Sequence, residues 1–272
     1  MANRDHPLVS ALFITYDRFD LLERAVYSFR ENTEYSNLEL VISDNGSPPE
    51  VQDKIRNLPA DVFAFLPKNR GLGANNNNGI RNCSGKYVLM IQDDWFCHGP
   101  ADYLLNAVAV MEANPDVGII NFAGAAHPPD MDRLLQGSAE PCYVTPTVVP
   151  NHKEEFLYCD QPHLQSRAAI YLMGPYFEDR EIGRSEEDYS ERWKQQTRFL
   201  TAVFPAYHMR VFSDEGAAQG RSYRLSTFRS RADAVLLPAA RLLKENCKPL
   251  YKAGKASIRA SVALMEKMGI VR

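Results

Sequence analysis

The sequence is poor in the features that usually announce a zinc, disulfide or membrane protein. Its five cysteines (Cys83, Cys97, Cys142, Cys159 and Cys247) are odd in number and none forms a Cys-x-x-Cys pair, so neither a zinc knuckle nor a disulfide frame is expected. They read as reduced thiols of a cytoplasmic protein. No stretch has the length of an apolar membrane span, and the first residues, MANRDHPLVSALF, lack the apolar core of a signal peptide. The expectation is a soluble chain, at most peripheral at the inner face of a membrane. There is no P-loop, because the only glycine-rich stretch lacks the lysine and Ser/Thr of that motif. No Ser/His/Asp or Cys/His set stands out, so a covalent nucleophile is not expected.

Charge is nearly balanced overall, at a net of −3 over 272 residues, but unevenly placed. The segment 231–272 carries nine Lys/Arg against three Asp/Glu, a net of +6, which leaves −9 for residues 1–230. The expected division is a catalytic-sized body over 1–230 and a basic, helical extension over 231–272. A basic tail on an acidic body reads as a contact for anionic lipid, or as an oligomerisation arm. Nucleic acid is not expected as a partner.

What the sequence does have is alternation of short apolar runs with amphipathic segments. Val9–Thr15, Leu38–Ser43, Phe63–Pro67, Tyr87–Ile91 and Val117–Gly124 have the length and the apolar, β-branched or aromatic content of buried strands. Leu21–Glu31 (capped by Asp20), Val51–Asn57, Ala74–Cys83 and Ala101–Asn114 have helical spacing between them. This order predicts a mostly parallel sheet flanked by helices, with right-handed crossovers. Further on, 125–155 reads as a long loop or lid, Glu155–Asp160 as a strand, and Arg167–Gly174 as a strand or short helix. Ser185 caps a helix whose first turn is acidic, and Thr201–Phe212 reads as a last strand.

The stretch KYVLMIQDDWFCHG, residues 86–99, organises the rest. A buried strand ends there in Gln92, Asp93 and Asp94. Two adjacent carboxylates at that place are costly unless a cation, arginines or water neutralise them. Either they hold a hard divalent metal that carries a phosphate, or they form a solvated turn. Upstream, KNRGLGANNNNGIRNCSG offers glycines for close backbone approach and asparagines as donors and acceptors. The alternative for it is a glycine-rich turn with a polar helix start. Trp95 and Tyr158 could stack on a sugar or pack in the core.

In their order, TYDR at the end of the first strand, SDNGS at the end of the second, KNRGLGANNNNGIR, IQDDW and SEEDY resemble the inverting, family 2 type of glycosyltransferase with the GT-A fold, across roughly residues 8–225. The resemblance implies the nucleotide-diphospho-sugar transferase fold and transfer from a UDP-, dTDP- or GDP-linked sugar to a saccharide or lipid-linked saccharide, in cell-surface polysaccharide or glycolipid synthesis. It implies a donor pocket walled by Thr15, Tyr16, Asp17, Arg18, Asp44 and Asn45. Asn69, Gly71, Asn76 and Arg81 would lie along the nucleotide and diphosphate, and Asp93 on the ribose or sugar. Asp94 would ligate Mn²⁺ or Mg²⁺. The family's later metal-ligand histidine has no counterpart, and Asp214 or His208 is the candidate to complete the site. Asp188, with Glu187 as alternative, matches the catalytic base, while Glu186 reads as the acidic first turn of that helix. A sugar-1-phosphate nucleotidyltransferase and a catalytically decayed nucleotide-sugar binder are the other readings.

Overall fold

A computed structural model describes residues 6–122, 133–145, 158–178, 183–207 and 210–215. The basic extension, the greater part of the expected loop, and His208 lie outside the described residues. Strand β1 (Val9–Thr15), helix α1 (Phe19–Glu31), β2 (Leu38–Asp44), α2 (Pro49–Ile55) and β3 (Val62–Phe65) alternate as the periodicity requires. Next come α3 (Leu72–Asn82), β4 (Tyr87–Gln92), a short β5 (Trp95–Cys97), α4 (Tyr103–Ala113) and β6 (Val117–Asn121). The remaining elements are β7 (Tyr143–Val144), β8 (His163–Ser166), α5 (Arg167–Met173), α6 (Arg184–Gln195), β9 (Leu200–Val203) and β10 (Phe212–Asp214).

Eight strands form one sheet in the order β3-β2-β1-β4-β8-β6-β9-β7. The β3-β2-β1-β4 half is parallel throughout. β8 runs antiparallel to both β4 and β6, and β7 is an antiparallel edge on β9. All seven residues of β1 are buried, as a strand covered on both faces should be. One face carries Val9, Ala11 and Phe13 against α1, α2 and α4, through Leu22, Ile55 and Leu104 among others. The other carries Leu12, Ile14, Val88 and Met90 against α5 and α6, through Ile170, Met173, Tyr189 and Trp193, with Leu72 and Ile80 of α3 packed alongside.

Several local expectations are corrected. Residues 158–160 are not strand; the strand is HLQS, shifted toward α5, because Leu164 and Gln165 pair with Leu89 and Val88 of β4. The run expected as one strand from Thr201 breaks into β9 and β10, separated by a turn through Tyr207. Asp20 lies inside the first turn of α1, whose N-cap is Arg18, and Ser185 lies inside α6, whose N-cap is the left-handed Gly183. Helix dipole favours these acids in a first turn whether or not they cap it. Trp95 and Tyr158 are both buried, so they pack in the core and offer no open ring face.

Candidate active site

Parallel β1, β2 and β4 end level with one another. Thr15 sits beside Asp44, Ile14 beside Gln92, and the backbone N–H of Asp93 donates to the carbonyl of Ile14. The carboxyl ends of such strands open the crevice where ligands bind in α/β folds. The expected donor-side residues from Thr15 to Arg18 and from Asp44 to Asn45 therefore converge on one rim with Asp93 and Asp94.

Asp93 is fully buried and held from two sides. Thr15 Oγ1 donates to its Oδ2 at 2.7 Å, and the Arg18 guanidinium grips both of its oxygens. Burial pushes the carboxyl up to about 7, against the pull of Arg18 and the Thr15 hydroxyl, with the Asp94 charge adding to the rise. Arg18 also donates from Nη1 to Asp94 Oδ2 at 2.8 Å. The other oxygen of Asp94, Oδ1, is buried and has no hydrogen-bond partner among the described residues. An orphaned carboxylate oxygen in this position is what a ligand cation would satisfy.

Opposite stands β10, antiparallel to β5, with Asp214 in register with Trp95 and the Glu215 N–H donating to the Asp94 carbonyl at 2.9 Å. This ladder brings exposed Asp214 next to Asp94 in the fold. Among the described residues no group of three or more His, Cys, Asp or Glu converges as a metal cage. That is compatible with Mg²⁺-type chemistry, in which one or two carboxylates hold the ion and phosphates complete the shell.

The loops before α3 form a polar clasp. Asn45 Oδ1 accepts from the Arg70 N–H, and Asn45 Nδ2 donates to Asn69 Oδ1 and to the Gly71 carbonyl. Asp44 is wholly consumed by its own turn: it accepts from the Gly46 and Ser47 N–H groups, from Ser47 Oγ and from Gln52 Nε2. It shapes the wall and has no exposed surface to offer a base or ribose. Asp17, at φ 53, donates its N–H to Ser47 Oγ, so the two loops are stitched together.

Gly46 sits at φ +78, and a Cβ there would lie 2.4 Å from the Lys68 backbone. Gly46→Ala should therefore lower stability by ~1–3 kcal/mol, read as a fall in the thermal midpoint. An unchanged midpoint would mean that this loop is not held as described.

The asparagine run zips helix to sheet and touches the rim only at its start. Asn75 bonds Thr15 and Ser43, Asn77 bonds the Tyr176 backbone, and Asn78 reaches the Ala64 carbonyl. Asn76 is buried at the same level. Gly79 serves packing, since a Cβ there would meet Leu12 Cδ1 at 2.5 Å. Arg81 is exposed in the last turn of α3, an 11-residue helix, so it stands ~15 Å of rise from the rim where α3 starts. The structure thus puts Arg81 at the end of α3 away from the loops around Asn69 and Gly71.

The three acids of SEEDY separate. Asp188 is half-exposed and is held by Arg192, whose guanidinium donates to it at 2.7 Å and also to the Met173 and Pro175 carbonyls. Glu187 is exposed. Glu186 instead turns inward, and its Oε1 accepts from the Asp160 N–H at 2.9 Å. The Asp160 carbonyl in turn accepts from Gln92 Nε2 at 3.2 Å, so one short bridge ties the aspartate strand end to Glu186. Sequence spacing missed this, because a helical first turn puts its acids a hundred degrees apart and only the neighbour decides which faces in.

Asp160 itself is buried. Its Oδ1 accepts from Tyr158 Oη at 2.5 Å, while Oδ2 has no partner among the described residues. Burial, with the Glu186 charge adding, pushes it up to about 7. Around it stand Tyr158, Tyr176 and Tyr189, with ring centroids 4.3 to 6.3 Å apart. His163, whose Nδ1 faces the Gln161 carbonyl, is pushed down to about 4 by burial and is neutral at pH 7.

The profile of the family described as "Glycosyl transferase family 2" matches residues 10–137. A β-1,3-glucosyltransferase of Campylobacter jejuni, named for its GalNAc(5)-diNAcBac-PP-undecaprenol substrate, is 33% identical over 93 residues, 32% of this chain and 30% of its own length. The putative glycosyltransferase EpsH of Bacillus subtilis is 27% identical over 121 residues, 43% of this chain and 34% of that one. The chain thus spans about a third of the length of these curated relatives.

Among solved structures, a mannosyltransferase of Pyrobaculum calidifontis, in complex with GDP-Man and Mn²⁺, aligns with TM-score 0.52 at 14% identity, over 96% of this chain and 81% of that one. GalNAc-T7 with UDP, GalNAc and Mn²⁺ aligns with TM-score 0.54 at 13% identity, over 76% of this chain and 44% of that one. The strand order, the acidic strand end and these likenesses agree on the fold, which is the GT-A fold, and residues 10–137 match the family 2 glycosyltransferase profile.

Proposed function

We propose that this protein transfers a glycosyl group from a nucleoside-diphosphate sugar to an acceptor hydroxyl with inversion. The observation that carries the reading is the meeting of a half-satisfied Asp94 and an inward Glu186 at one rim, joined through Gln92 and Asp160. Asp94, with Asp214 beside it, would hold Mn²⁺ or Mg²⁺; the ion supplies charge neutralisation for the departing diphosphate. Arg18 must then release Asp94 while it keeps Asp93, and Thr15 and Arg18 fix Asp93 as the inner wall of the donor pocket. Glu186 takes the proton of the acceptor hydroxyl as its oxygen bonds to the anomeric carbon. The bond from that carbon to the diphosphate oxygen breaks, and the electron pair leaves with the diphosphate.

The complexes of GDP-Man and of UDP with Mn²⁺ in the structural relatives support a metal-bound nucleotide donor. The undecaprenol-linked substrate in the Campylobacter relative's name supports a lipid-linked saccharide as acceptor, and the basic 231–272 segment supports work beside an anionic membrane face. No helix among the described residues is long and apolar enough to cross a membrane.

A thermal-shift panel of UDP-, dTDP- and GDP-sugars, with and without Mn²⁺, tests the reading. At least one donor should stabilise the protein in a metal-dependent way, and Asp94→Asn should remove the metal-dependent part. Stabilisation by nucleoside triphosphates alone would favour a nucleotidyltransferase. Binding without any donor turnover would favour a decayed module.

A further inference from the structure

We infer that Asp160 is a specificity-determining residue whose free carboxylate oxygen accepts a hydrogen bond from a ring hydroxyl of the transferred sugar. The inference rests on the glycosyltransferase reading above and goes beyond it by assigning a sugar contact to a residue of the β8 approach. Three observations carry it. Asp160 is about nine-tenths buried, yet Oδ2 lacks a donor among the described residues, while Oδ1 is already committed to Tyr158. The adjacent Gln161 Oε1 is likewise buried and has no donor among the described residues. A buried acceptor left unmatched costs about 1–3 kcal/mol, so such a pair fits a ligand that arrives with hydroxyl donors.

The third observation is position. Inversion requires the acceptor to attack from the face opposite the leaving diphosphate. The transferred ring therefore lies between the residue that faces the diphosphate, Asp94, and the residue that faces the acceptor, Glu186. Asp160 bridges those two places, with its carbonyl on Gln92 and its N–H on Glu186. The group that links both ends of the reaction axis is the group beside the ring. The fixed partner at Oδ1 leaves one directional acceptor, which distinguishes one ring hydroxyl from its epimer or its absence.

The experiment is a cycle between protein and ligand, using the full chain with Mn²⁺. Affinities of wild type and Asp160→Ala are measured for the free nucleoside diphosphate, for the donor sugar selected by the panel, and for its monodeoxy analogues. Wild type should lose about 10- to 100-fold in affinity when one particular hydroxyl is removed. Asp160→Ala should bind the full donor that much more weakly, be indifferent to that same deletion, and keep wild-type affinity for the free diphosphate. Equal loss for diphosphate and donor, or no coupling at any ring position, would overturn the inference. Failure of wild type to bind any diphosphate would instead bring down the underlying reading. Should Asp160→Ala not fold, Asp160→Leu and the wild-type deoxy profile alone decide, since a flat profile excludes the contact.

Discussion

Glu186→Gln should lower turnover by about 10²- to 10⁴-fold while leaving nucleotide-sugar affinity near that of wild type. The substitution keeps shape and the acceptor oxygen that meets the Asp160 N–H, and removes only the ability to take a proton. Asp188→Asn is the matched control. Its carboxylate is half-exposed and paired with Arg192 one helical turn on, an arrangement worth ~1 kcal/mol or less, and Arg192 keeps its carbonyl partners without it. Its turnover should stay within a few-fold of wild type. Steady-state kinetics of both variants, with donor binding measured separately, is the check. A large loss in Asp188→Asn with normal turnover in Glu186→Gln would return the base to the position that the motif alone favours.

Asp93→Ala should cost the fold ~3–5 kcal/mol, the usual consequence of removing one partner of a buried ion pair. Three hydrogen bonds converge on this carboxylate, from Thr15 Oγ1 and from two nitrogens of Arg18, and its removal takes from Arg18, 13% exposed, a buried counter-charge. Urea denaturation monitored by tryptophan fluorescence reads this directly, because Trp95 lies two residues away in the core. The double substitution Asp93→Leu with Arg18→Met should recover part of the loss, since both members of the buried Arg18–Asp93 pair go together, and only part, since Asp94 then loses the Arg18 contact. A loss below ~1 kcal/mol for the single variant would show that water already screens the pair. The expected fall also warns against reading inactivity of Asp93 variants as chemistry without a stability measurement.

The parallel half of the sheet was legible because its strands are buried on both faces and read as unbroken apolar runs: Val9–Thr15 and Tyr87–Gln92 carry their own evidence. Asp93 and Asp94 were legible because paired carboxylates at a strand end have few bland explanations. The later part was harder. HLQS has one aliphatic residue in four, and it becomes a strand only because β4 and β6 each need a partner. Dipole chemistry alone accounts for all three acids of SEEDY, so the sequence does not show that Glu186 is the one that meets Asp160, which is far from any motif. Asp44 and Arg81 match expected donor positions by order in the chain; the structure spends one on its own turn and puts the other at the far end of its helix.

The insertion of β8 between β4 and β6 has a consequence for how the molecule is made. Strands β1 to β4 pair in an order that allows them to form as they leave the ribosome, each crossover being local. β4 then waits with one edge unpaired until His163–Ser166 has been synthesised, while β6, whose partners β8 and β9 both follow it, has no strand beside it until then. An open, apolar edge such as YVLMI is a template for association with other chains during that interval. The nascent chain therefore carries a half-built sheet through the synthesis of some seventy residues, and chaperone demand should fall only once β8 has closed the seam.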